Sequence, residues 1–188
     1  MIKKFGFTLA EVLITLGIIG VVAAMTIPTL MQKTNDAELK SAYKKMISVV
    51  SQGISMNYAL DDVDFSEITT GGSTGDEKGT SWLGFLYQRL NVVSSGTIDD
   101  GTPNGVFFSD GSWTQIPTSG ECKSLGNCPV LIDVNGKKGP NKATPVRTAD
   151  EISKDTATIY DRYTVYAYKR VFAPTDAEND PGQFILTH

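Results

Sequence analysis

The sequence predicts an α+β fold: one long N-terminal helix, membrane-crossing in its first half and one-sided in its second, packed on a small antiparallel sheet. Two observations carry this prediction. Phe7 to Leu30 holds a single charged residue, Glu11, and apolar side chains then recur every three or four positions to about Leu60. After Gly96 the pattern changes to short strand-forming runs separated by turn residues. A helix with one apolar face needs a covering layer, and antiparallel strands with one buried face supply it.

The elements follow in order. The 24 residues from Phe7 to Leu30 would span about 36 Å as a helix, enough to cross the hydrocarbon core of a bilayer. Lys3 and Lys4 precede this run, so its start is expected on the cytoplasmic side and the rest of the chain outside. Leu39, Tyr43, Met46, Ile47, Val50 and Ile54 continue as one stripe, with Lys40, Lys44, Lys45, Ser48 and Ser51 opposite. One helix from about Thr8 to Leu60, roughly 80 Å long, is expected. Pro28 removes a backbone donor and is expected to bend it. Thr34-Asn35-Asp36 are capping residue types, and a second helix starting there is the other reading.

Asp61 to Ser81 reads as a surface loop with Gly71-Gly72-Ser73-Thr74-Gly75 at its centre, and Trp82 to Leu90 as a short amphipathic helix. Val106–Ser109 and Ser112–Ile116, joined by Asp110-Gly111, predict a hairpin with a two-residue turn. Pro129–Asp133 is a third strand, and Arg162–Phe172 a fourth and the longest. The tail from Ala173, with Pro174, Asp180 and Pro181, is expected to be loosely held.

The apolar N-terminal run admits three readings. A cleaved signal peptide would use the small residues Val22-Ala23-Ala24 and start the mature chain at Met25. A plain anchor would keep the run whole. A third reading cuts before the run. Lys4-Phe5-Gly6-Phe7-Thr8-Leu9-Ala10-Glu11 resembles the processing site of type IV pilins and type II secretion pseudopilins. The resemblance covers about the first 30 residues. It implies cleavage by a prepilin peptidase after Gly6 and N-methylation of Phe7. It also implies that Glu11 meets the N-terminal amine of a neighbouring subunit during assembly, with Pro28 at the family's helix kink. Glu11 itself separates the readings, because neither a signal peptide nor an anchor gains from a carboxylate in its apolar run.

The organisation expected from these residues is a leader over 1–6, a transmembrane and assembly helix over 7–30, its amphipathic continuation over 31–60, and an exported globular head over 61–188. The implied function is that of a structural subunit of a type IV pilus-like fibre or type II secretion pseudopilus. Its partners would be the peptidase, other pilin or pseudopilin subunits, and the inner-membrane assembly machinery. The chain would be single-pass in the inner membrane and afterwards part of a periplasmic or cell-surface fibre. The reading from another class is an exported, membrane-anchored binding protein that does not polymerise.

Cys122 and Cys128 are the two cysteines, and an oxidising compartment favours a disulfide between them. Asp133 and Asn135, followed by Gly136, resemble part of a calcium loop, but the same residue types make ordinary turns and the loop lacks the bidentate Glu. No other cofactor is suggested. The single histidine, His188, is terminal, which removes histidine-based catalysis, and the formal net charge of −4 leaves no footprint for nucleic acid. No enzyme is expected.

Overall fold

The computed structural model describes residues 6, 8–63, 68, 80–117, 128–144, 159–168, 171–175 and 180–187. The chain divides into two compact units, Met1–Glu38 and Leu39–His188. Helix α1 (Leu9–Asp61, 53 residues) belongs to both, and it runs through Thr34-Asn35-Asp36 without a second start. In the first unit its large apolar side chains, among them Leu13, Ile14, Ile18 and Ile19, stand exposed.

In the second unit α1 carries the stripe read from the sequence. Tyr43, Met46, Ile47, Val50 and Ile54 are all buried, and Leu39 packs against them. Helix α2 (Trp82–Arg89) starts at the Ser81 cap, whose hydroxyl accepts the Gly84 N–H at 3.0 Å. It adds Trp82, Phe85 and Leu86 to the same core. Arg89 ties α2 to α1 by pairing with Asp61 and donating to Oδ1 of the buried Asn57 at 3.2 Å.

The covering layer is a six-stranded antiparallel meander in chain order: β1 (Val92–Gly96), β2 (Gly105–Phe108), β3 (Trp113–Gln115), β4 (Cys128–Asp133), β5 (Arg162–Tyr168) and β6 (Val171–Ala173). Val106, Val130, Ile132, Tyr163, Val165, Ala167 and Phe172 are the buried residues it gives to this core cluster. β4 and β5 are paired from Cys128–Ala167 to Asp133–Arg162, the longest ladder in the sheet. At the free edge, β1 carries an irregularity between Val92 and Ser94, and Val93 points to solvent.

Three features differ from the sequence reading. The β2–β3 connection is Ser109-Asp110-Gly111, three residues rather than two. The Phe108 N–H donates to Ser112 O at 2.9 Å, and the Gly111 N–H donates to Phe108 O at 3.0 Å. The expected fourth strand, Arg162–Phe172, is two antiparallel strands, with Tyr168 opposite Val171. The described part of the tail is docked, not loose. Helix α3 (Pro181–Thr187) starts under Asp180, whose Oδ1 accepts the Gly182 and Gln183 N–H groups and whose Oδ2 accepts from Thr175. Pro181 at the first helical position has no N–H to satisfy and arrives with its φ preset.

Two contacts fix α3. Ile185 is fully buried, and Gly182 lies so close to the Tyr43 hydroxyl that a Cβ there would collide with it. Tyr43 packs against Tyr163 with ring centroids 4.4 Å apart and the rings tilted at 46°, so it has little room to retreat. Burial raises the pKa of its hydroxyl, with the Asp180 charge adding to the effect. Gly182→Ala is therefore expected to lower head stability by about 1–3 kcal/mol, the usual cost of overpacking a filled site. Urea unfolding of the full-length chain in detergent, followed by tyrosine and tryptophan fluorescence, measures it. An unchanged midpoint would show that α3 does not press on Tyr43.

Candidate assembly site

Glu11 lies in the first turn of α1, and its surroundings define the helix start. Oε2 accepts the Thr8 backbone N–H at 2.8 Å and the Thr8 hydroxyl at 2.9 Å. In return the Glu11 N–H donates to the Thr8 hydroxyl oxygen at 3.3 Å. This is a reciprocal capping box, with Thr8 as N-cap and Glu11 three residues on. Two N–H groups that a helix start leaves without partners are thereby satisfied. A carboxylate is also favoured at the positive end of the helix dipole. Glu11 thus has a local task, quite apart from any second chain. The Thr-x-x-Glu spacing was readable in the sequence, where Glu11 drew attention only as a lone charge.

Gly6 is exposed, outside the helix, with open space around it. Phe7 lies outside the described residues. Downstream, every threonine of the apolar segment returns its hydroxyl to the helix. Thr15 donates to Glu11 O at 3.0 Å, Thr26 to Val22 O at 3.0 Å and Thr29 to Met25 O at 3.2 Å. Such back-bonding leaves no hydroxyl facing an apolar medium unsatisfied. Pro28 sits inside α1 and cannot donate to the carbonyl one turn back. The helix is long and apolar enough to cross a membrane.

The second sequence-marked region is the loop that follows β4. Asp133 is fully buried. Its Oδ1 accepts the Asn135 N–H at 3.2 Å, and its Oδ2 accepts from Arg162 Nε at 3.2 Å. The Arg162 guanidinium also reaches Asp99 at 2.6 Å. Asp161, equally buried, closes the far end of the loop by accepting the Asn141 and Lys142 N–H groups at 2.8 Å each. Gly136 has φ of +61° and abuts the Gly111 carbonyl, so only glycine fits; Asn141, at φ +53°, is of a type that tolerates this region. Asn135 turns its amide to Gly139 O at 3.4 Å. Asp133 and Asn135 therefore carry the hydrogen bonds of a turn stapled at both ends. Among the described residues, no three His, Cys, Asp or Glu side chains gather as a metal-holding group.

Cys128 opens β4, while Cys122 lies outside the described residues, and so does any bond between them.

Residues 1–27 match the family model described as the prokaryotic N-terminal methylation motif. With the α+β arrangement, this gives the chain the features of type IV pilin-like proteins, which it resembles. In particular it is similar to the pilin-like protein PilA1 of Thermus thermophilus, with 29% identity over 146 residues, or 77% of this chain and 86% of the relative. No solved structure matches the chain.

The stapled loop makes head stability depend on pH. Burial, and then the neighbouring Asp161 charge, push Asp133 up to about 6 from an ordinary 3.8. Between these two values the folded state holds a proton that the unfolded chain has already released. The stability this confers is fully present below the ordinary carboxylate value and is lost as pH rises through about 6. The expected fall between pH 4 and pH 7 is about 2–3 kcal/mol. Arg162 holds Asp99 below its ordinary value, so the loss of that contribution belongs to more acidic solutions. Urea midpoints of the full-length chain across this range should decline with pH, and Asp133→Asn should flatten the decline. A midpoint that rises with pH would contradict the assignment.

Proposed function

We propose that the chain is a structural subunit of a type IV pilus-like or type II secretion pseudopilus fibre, processed by a prepilin peptidase and polymerised through its N-terminal helix. The observation that supports this reading is the match of residues 1–27 to the N-terminal methylation motif, a segment in which Gly6, Phe7 and Glu11 take the cleavage, methylation and assembly roles by resemblance. In this scheme the peptidase cuts between Gly6 and Phe7, and the new Phe7 amine is methylated. The apolar half of α1 then holds the subunit in the inner membrane with its head exported. During assembly Glu11 gains the amine of a neighbouring subunit as its partner, and opposite charges about 4 Å apart attract strongly where water is excluded. The heads form the outside of a periplasmic or cell-surface fibre, and the inner-membrane assembly machinery drives the transfer. The role is structural, not enzymatic.

The export step supports a Cys122–Cys128 disulfide, worth about 2 kcal/mol for so small a loop. The purified chain should show no reactive thiol without reductant, and quantitative labelling of the native protein would count against the bond.

Processing has a direct readout. Removing six of the 188 residues leaves 182, and the loss of Lys3 and Lys4 takes the side-chain charge from −4 to −6. Intact mass and N-terminal sequencing should find N-methyl-Phe7. A mature start at Met25 would establish a signal peptide instead.

The capping box sharpens the test of Glu11. Glu11→Ala removes both the box and the charge. Glu11→Gln keeps an oxygen for the Thr8 N–H and removes only the charge. Both variants should insert and be cleaved. If pairing with the amine is the task, both should fail to enter fibres, measured as sheared or sedimented subunit against membrane-bound subunit. Normal incorporation of Glu11→Gln with failure of Glu11→Ala would reduce Glu11 to a helix cap. Incorporation of this chain itself must be followed, because a minor subunit can be carried by a major one.

A further inference from the structure

We draw no further inference here: the strongest candidate, the apolar groove between α1 and the β2–β3 turn, lined by Met46, Val49, Val50, Leu90 and Phe108 beside the Lys45–Asp110 ion pair, carries nothing because nothing in the structure shows what covers it.

Discussion

The head is organised around one constraint: the half of α1 beyond Glu38 cannot leave Tyr43, Met46, Ile47, Val50 and Ile54 in water. Burying a side chain of this size is worth about 1.5–3 kcal/mol, and five of them in one stripe dominate the local energetics. The sheet and α2 take their places by covering that stripe. β4 and β5 supply Val130, Ile132, Tyr163 and Val165, and α2 supplies Phe85 and Leu86. The polar clamps sit around this core and set alignment. Arg89 joins α2 to the end of α1, and Lys45 joins α1 to the β2–β3 turn at 2.8 Å. Exposed pairs such as the latter add little energy, so their contribution is to register.

The apolar half of α1 obeys a different solvent. Its large apolar side chains stand exposed on every side of the helix, which suits lipid or the faces of other helices. Its polar groups are turned inward on the backbone: Thr15, Thr26 and Thr29 bond to preceding carbonyls, and Glu11 bonds to Thr8. One helix therefore solves two satisfaction problems, each with the residue types its surroundings permit.

Where the sequence was legible, a periodic pattern was long enough to be unambiguous. The α1 stripe and the Val106–Ile116 hairpin are of this kind. β1 was not foreseen because Val-Val-Ser-Ser-Gly shows no alternation; it is an edge strand whose residues are mostly exposed, held by its ladder to β2. The β5–β6 break fell in a run without Gly, Pro or Asn to mark it. The docked tail and the capping box were written in short-range signals, Asp180-Pro181 before α3 and Thr8-x-x-Glu11, that composition outweighed. In the Asp133 loop, residue types that serve equally in turns and in calcium loops left the choice open. The structure pairs Arg162 with Asp133, a contact between residues 29 apart in sequence that leaves no local trace.

The edges of the meander set how such heads can meet. β1 is interrupted by its irregularity after Val92, and β6 is only three residues long, followed at once by Pro174. Neither edge offers the flat row of free N–H and C=O groups on which another strand could zip. Sheet-to-sheet merging of two such domains is thereby disfavoured, and the edges act as a brake on strand-mediated aggregation.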